Sequence, residues 1–479
     1  MSGIDLTIIV SVVAALVVLL SKTWSHYRWI QAAIPGTLVV LIVIRLLLLP
    51  MVWTMMPAVI VSGGIVLHCL LLIRRTRRSR SEIPQRKRRR PMFIRRLGAA
   101  LLAILLAVIA AAPPTLLPVF SLEQPGGPYA IGTSVYHWTD ESRSERASDD
   151  PSRQRELTVQ VWYPADPQSV VDLERAPYLP EWDVMAPALA QRYHFPEFLL
   201  SHLNQIESHG YKDAPVSASQ ARYPVVLFSH GMPGLYATDT FLFEALASSG
   251  YIVLSINHTN YSIASKLQDG TVATVHNDAF PSPADWDAND ALIANVWAKD
   301  ASFVLDQLER LDNVGVNPNF PLAGHLDWEH VGMAGHSFGG ANAVEMLCTD
   351  ERVKAAVNMD GTMFGTGVRS TSLQKPLLLL QSKRPESSGE PSDPELRSAG
   401  LTRAEYDKLT VEIPRREANA LAAQGSRAVM IEGADHLAFT DLYRLSPLLP
   451  LMNRTGSLNN IHQRITSEVV NFFNTQLKQ

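Results

Sequence analysis

Four apolar runs crowd the first 122 residues of this 479-residue chain, at Ile4–Leu20, Ile34–Leu49, Pro57–Ile73 and Leu97–Phe120. Each approaches the roughly 20 residues that an α-helix needs to cross a bilayer's hydrocarbon. Backbone in lipid must satisfy its own hydrogen bonds, which restricts such runs to helices. A secretory leader has a single apolar core behind a basic start. Here Met1–Asp5 carries no basic residue and three further runs follow the first. The pattern predicts a multi-pass transmembrane anchor over residues 1–122.

Charge gives the anchor a direction. Residues 1–122 hold fifteen Lys and Arg against two acids, a balance of +13, while the remainder holds 27 against 44, a balance of −17; together these give the net −4. Such asymmetry signals a membrane or polyanion contact at one end and a soluble domain at the other. Twelve of the basic residues fall in Arg74–Arg96, between the third and fourth runs. A nucleic-acid surface is the competing reading of so basic a stretch. Its place between two spans makes it a cytoplasmic loop under the positive-inside rule, and no nucleic-acid partner is expected. With loop 74–96 inside, the fourth span exits outward and carries the soluble domain to the extracytoplasmic side. Arg45 sits about one turn from the outer end of the second run and reads as a side chain snorkelling to the headgroups. Cys69 and Cys348, the two cysteines, read as unpaired core residues.

The stretch from Pro113-Pro114 to Gly126-Gly127-Pro128 breaks helix and reads as a linker. Residues 123–479 then form one domain. Leu157–Tyr163, Pro224–Ser229, Tyr251–Ile256, Val331–Gly335, Val353–Met359, Pro376–Gln381 and Ala428–Ile431 are short apolar runs bounded by turn residues. Runs of this kind suit strands buried on both faces. Helical patterns at Thr240–Ser249, Asp290–Leu311 and Gly339–Leu347 lie between them. Alternation of strand and helix predicts an α/β fold, a doubly wound and mostly parallel sheet. Aromatic-rich Ala176–His209 breaks the rhythm, and an insertion of about 176–220 is expected there. It reads either as a lid or membrane-facing surface or as a segment packed on the core.

Glu329–Leu347, EHVGMAGHSFGGANAVEML, carries the chemistry. A lone G-x-S-x-G is a modest signal, but this one follows a strand and opens a helix, the setting a nucleophile elbow requires. Gly335, Gly339 and Gly340 give Ser337 small neighbours for a sharp turn. The helix N-terminus favours developing negative charge. A serine nucleophile needs a base and an orienting acid, and on such a sheet the order is Ser, Asp or Glu, His. His436, in IEGADHLAF between the last strand and the final helix, is the expected base; His462 is the other downstream histidine. Asp360, at the C-terminal end of VKAAVNMDG, is the preferred acid, because catalytic groups gather at such strand ends. Glu386 and Asp393, in the loop after the next strand, are the alternatives. Asp435 reads as a helix cap. The oxyanion donors are the N–H of Phe338, next to the nucleophile, and that of Met232 in FSHGMPG. His230 reads as a brace for that loop.

FSHGMPG, INHTNYS, GHSFGG, VNMDG and GADHLAFTD, in this order, together with LTVQVWYP, resemble the platelet-activating factor acetylhydrolase family over roughly residues 125–475. The resemblance implies an α/β-hydrolase with a Ser-Asp-His triad whose acid follows the strand after the nucleophile strand, which supports Asp360. It also implies hydrolysis of short or oxidised acyl esters, often in phospholipids, with no metal or cofactor. The expected partners are a lipid-like or small ester and the bilayer; oligomeric state is not readable. Polyester or dienelactone-type esterases, peptidases and thioesterases share this triad pattern. A non-catalytic membrane scaffold is the rival outside enzymes, and an intact Ser, His, acid and glycine set speaks against it.

Overall fold

Long unbroken runs of Leu, Ile, Val and Ala have no polar side chain to compete with the helical backbone, and they form four helices. These are α1 (Gly3–Leu20), α2 (Arg28–Leu48), α3 (Met56–Arg78) and α4 (Met92–Leu116). The structure is a computed structural model that describes residues 3–21, 28–78, 92–146, 152–275, 281–312, 320–382, 390–398 and 401–478. Most of the basic loop 74–96, and Glu386, therefore lie outside the described residues. Contacts divide the chain into two units. One is Met1–Phe120 with Phe198–Gln205 and Arg444–Leu448; the other is Ser121–Glu197, Ile206–Tyr443 and Leu449–Gln479.

In the first unit, Ile8, Val12, Leu38, Ala58, Ile65, Cys69, Ala103 and Ala110 form an interior, while Val17, Leu47, Ile60 and Leu101 face outward. Among the described residues, all four helices are long and apolar enough to cross a membrane. Arg45 departs from the sequence reading. It is 2 % exposed, and its Nε donates to Asp5 Oδ1 at 2.9 Å. Its Nη1 donates to the carbonyls of Leu49 and Pro50 at 3.0 and 2.9 Å. These carbonyls lie at a helix end and lack intrahelical donors, so a nearby guanidinium has partners inside the bundle.

The second unit is built on a sheet that contains ten strands among the described residues, in the order β12-β11-β10-β9-β5-β6-β2-β1-β4-β3. In chain order these are β1 (Ala130–Ser144), β2 (Gln154–Ala165), β3 (Arg175–Pro177), β4 (Glu207–Lys212), β5 (Tyr223–Ser229) and β6 (Ile252–Asn257). After a small hairpin of β7 (Ala264–Lys266) and β8 (Val272–Thr274) come β9 (Leu326–His336), β10 (Val353–Met359), β11 (Leu377–Ser382) and β12 (Arg427–Ile431). The strands from β12 to β6 run parallel, and β2 turns antiparallel against β6. Every residue of β5 and β6 is buried, as continuous apolar strands covered on both faces should be.

The principal helices are α5 (Trp182–Tyr193), α6 (Thr240–Ser248), α7 (Ala298–Asp312), α8 (Phe338–Thr349), α9 (Arg403–Ala420) and α10 (Leu458–Leu477). Val331 and Met333 of β9 join Leu305 of α7 and Val344 of α8 in one core. On the opposite face, a Cβ on Gly332 would lie 2.7 Å from the Phe473 ring of α10. The expected helix at Asp290–Leu311 is interrupted: a π-turn at Ile293–Trp297 precedes α7. The expected insertion at about 176–220 is in part continuous with the sheet, since β3 and β4 extend its edge.

Candidate active site

Strand β9 ends at His336 and α8 begins at Phe338, so the chain must reverse at Ser337 alone. Ser337 takes φ 56° and ψ −119°, a region that side-chain-bearing residues avoid unless the surroundings enforce it. The enforcement is close backbone contact. A Cβ on Gly335 would lie 2.1 Å from the Gly339 carbonyl oxygen, and one on Gly339 would lie 2.0 Å from that of Ser229. Only glycine fits at either place. The Ser337 N–H also donates to the Met359 carbonyl at 2.9 Å, which ties the elbow to β10.

The three side chains read from the sequence as Ser, His and acid meet at the C-terminal edge of the parallel strands. His436 Nε2 lies 3.0 Å from Ser337 Oγ, and His436 Nδ1 lies 2.7 Å from Asp360 Oδ2. Asp360 follows β10 directly, with φ 57°, and Asn358 closes the turn by accepting the Gly361 N–H at 2.7 Å. Ser382, at the end of β11, donates its N–H to Asp360 Oδ1 at 2.7 Å and its hydroxyl to Oδ2 at 2.9 Å. Burial raises the Asp360 carboxyl, but the hydrogen bonds from His436 and Ser382 outweigh that and hold it below the usual carboxylate range. An ionised Asp360 can only accept, so the imidazole hydrogen belongs on Nδ1, and the Nε2 lone pair faces the Ser337 hydroxyl.

Sequence reasoning missed two supports. Ser382 gave no signal, because a serine at a strand end has no distinguishing neighbour. His336 sits inside GHSFGG, where nothing in the neighbouring residues marks it as a support. Burial, with the neighbouring His436, pushes its imidazole down to about 3. It is neutral, and its Nε2 donates to the His436 carbonyl at 2.9 Å. Asp435 accepts the N–H groups of Leu437 and Ala438, both at 3.1 Å, and so caps the short turn that carries His436. It also accepts the Tyr443 hydroxyl at 2.7 Å.

The loop after β5 lies against the nucleophile: a Cβ on Gly231 would stand 3.2 Å from Ser337 Cβ. Met232 and Phe338 turn their side chains into an aromatic cluster with Tyr261, Trp286, Trp297 and Phe364. The Phe338 N–H opens α8, where no intrahelical acceptor is available. His230 Nδ1 is 2.6 Å from the Gly231 carbonyl, and burial holds its imidazole down at about 3.

The other candidates lie elsewhere. Asp393 pairs with Arg403 at 2.8 Å. His462 stacks on Phe241 at 3.8 Å, with its Nε2 3.2 Å from the Thr440 carbonyl oxygen. Among the described residues, no group of three or more His, Cys, Asp or Glu could hold a metal ion.

The family model "Platelet-activating factor acetylhydrolase, isoform II" matches residues 119–281 and 309–455. The chain belongs to this family. A probable 1-alkyl-2-acetylglycerophosphocholine esterase of Arthroderma benhamiae is 24 % identical over 269 residues, covering 52 % of this chain and 61 % of that protein. The platelet-activating factor acetylhydrolase of Cavia porcellus is 27 % identical over 188 residues, covering 35 % and 42 %. The chain thus spans less than two thirds of the length of these curated relatives. The solved structure of a ferulic acid esterase from Streptomyces cinnamoneus matches with a TM-score of 0.56 and 26 % identity, covering 75 % of this chain and 93 % of that one. The sheet and helices are therefore those of an esterase-like α/β-hydrolase fold.

Proposed function

We propose that this chain is a membrane-anchored serine hydrolase of carboxylic esters. The observation that carries the reading is the unbroken line of contacts from Ser337 Oγ to His436 Nε2 at 3.0 Å and from His436 Nδ1 to Asp360 at 2.7 Å. Ser337 attacks the acyl carbonyl while His436 takes its proton and Asp360 holds the imidazole in the required tautomer. The N–H groups of Met232 and Phe338 receive the oxyanion. His436 then protonates the departing alcohol, and water attacks the acyl-enzyme with His436 again as base. None of these steps calls on a metal or cofactor.

Family membership and the names of the relatives support short-chain acyl esters of phospholipid-like alcohols as substrates. The likeness to a ferulic acid esterase favours a second class, esters of aromatic acids. A panel of p-nitrophenyl esters of increasing acyl length, an acetylated ether phospholipid and methyl ferulate separates them. Turnover that falls steeply with acyl length and includes the phospholipid supports the first class. Preference for methyl ferulate supports the second, and no turnover on any member refutes the ester reading.

Residues 1–122 serve as the anchor and 123–479 as the catalytic domain. The four apolar helices support spanning. The twelve basic residues of loop 74–96 support a cytoplasmic place for it and an extracytoplasmic place for the domain that follows the fourth span.

A further inference from the structure

The proposed mechanism leaves a second Ser, His and Asp unused. Ser229, His258 and Asp300 are fully buried, yet they are joined as a triad is. Asp300 Oδ2 is 2.9 Å from His258 Nδ1, and His258 Nε2 is 2.9 Å from Ser229 Oγ. Ser229 is sealed from solvent and meets no substrate, so the group acts on the protein itself.

The hydrogen positions follow from one end. Asp300 is ionised: burial opposes this, but Arg155, at 3.0 and 2.5 Å, and His258 hold it below the carboxylate range. Arg143 adds a contact at 3.0 Å. A carboxylate accepts, so His258 carries its hydrogen on Nδ1, and its Nε2 accepts the Ser229 hydroxyl. Ser229 Oγ in turn accepts the Asn342 amide of α8 at 2.9 Å. The His258 backbone N–H donates to His230 Nε2 at 3.2 Å. His230 must then hold its hydrogen on Nδ1, 2.6 Å from the Gly231 carbonyl. Trp297 stacks on His258 at 3.9 Å and meets His230 edge-on at 5.4 Å, fixing both rings.

In a planar trans peptide the C=O and the following N–H point in opposite directions. Pinning the Gly231 carbonyl therefore sets where the Met232 N–H points. We propose that Asp300, His258 and His230 are positioning residues that aim the Met232 N–H at the oxyanion formed when Ser337 attacks. This rests on the reading of Ser337 and Met232 given above. Asn342 joins the same relay to the nucleophile's own helix, so donor and nucleophile are held in register.

The test uses the full chain in detergent. His230→Leu removes the Nδ1 hydrogen, and His230→Asn restores an N–H near that place. On p-nitrophenyl acetate, His230→Leu should lose on the order of 10²-fold in kcat with KM within about threefold, as oxyanion-donor losses do. His230→Asn should recover at least about tenfold of that loss. Inhibition by phenylboronic acid, whose tetrahedral adduct occupies the oxyanion position, should weaken in parallel, and the pH profile of kcat/KM should keep its position. Hydrogen exchange at Met232 should speed up in His230→Leu and stay near wild type in His230→Asn. Ser229→Ala, a smaller change, should show an intermediate kcat loss and serves if the leucine variant does not fold. Unchanged kcat in folded His230→Leu, an asparagine variant as impaired as the leucine one, or unaltered exchange at Met232 overturns the relay. If the wild type turns over no ester, the ester reading fails, and the exchange comparison alone decides whether the relay orders the Gly231–Met232 peptide.

Discussion

Asp360→Asn exchanges one oxygen for an NH2 group, and the contacts determine which one. Oδ1 accepts the Ser382 backbone N–H at 2.7 Å, whereas Oδ2 faces His436 Nδ1 at 2.7 Å and the Ser382 hydroxyl at 2.9 Å. An amide NH2 in the Oδ1 place would oppose a backbone donor that cannot rotate away. The NH2 therefore takes the Oδ2 place, where the hydroxyl can turn to accept. It then donates to His436 Nδ1, which forces the imidazole hydrogen onto Nε2, toward Ser337. The base is lost although the side chains barely move. The expected cost is on the order of 10⁴ in kcat, or about 5.5 kcal/mol in the barrier. Steady-state kcat and KM on p-nitrophenyl acetate read it, with circular dichroism to establish that the variant is folded. A folded Asp360→Asn protein that keeps more than about a tenth of wild-type kcat refutes the tautomer argument, since removing that partner would otherwise cost ~10⁴.

Ser382→Ala leaves the backbone donor in place and should cost roughly threefold to tenfold in kcat, about one ordinary hydrogen bond; Asp393→Asn, in an exposed pair with Arg403, should leave kcat within about twofold. Gly339→Ala places a methyl 2.0 Å from a backbone oxygen, so active folded protein should be lost, and near-normal yield and turnover would contradict the packed elbow. Asp239 is fully buried, and burial together with the Asp441 carboxyl raises its pKa well above the usual value. The native state therefore keeps a proton that the unfolded chain releases above about pH 3.9, and stability falls as pH rises from there toward the folded pKa. Asp239→Asn cannot ionise, so its melting temperature relative to wild type should be higher at pH 8 than at pH 5; the reverse order would refute the assignment. Alkaline phosphatase fused after Gln479 should be active outside the cytoplasm, and an inactive fusion would mean that the fourth helix does not cross or that loop 74–96 is not cytoplasmic.

Strands that are apolar end to end were legible because a strand buried on both faces tolerates little else. β1 was not legible: AIGTSVYHWTDESRS has too few apolar residues in sequence. Three of its polar side chains, Thr133, Ser134 and Asp140, are nonetheless buried beside partners. Ser134 donates to Asp213 at 2.7 Å and Thr133 accepts from Gln160 at 3.2 Å, partners that hydropathy does not display. The elbow was legible because a sharp turn at Ser337 demands small neighbours, and the contact that forces Gly335 comes from Gly339, four residues on. Ser382, Asn342 and the Asp300–His258 pair were not, since each acts through a neighbour brought in by the fold. Arg45 was misread for the same reason: its partner Asp5 is forty residues away in the chain.

The proposed function depends on Ser337 as the nucleophile. Fluorophosphonate labelling of the full chain, followed by peptide mapping, tests it most directly. One modified residue is expected, Ser337, with loss of both labelling and p-nitrophenyl acetate turnover in a folded Ser337→Ala variant. Labelling at another residue, or an unchanged rate in that variant, would contradict it.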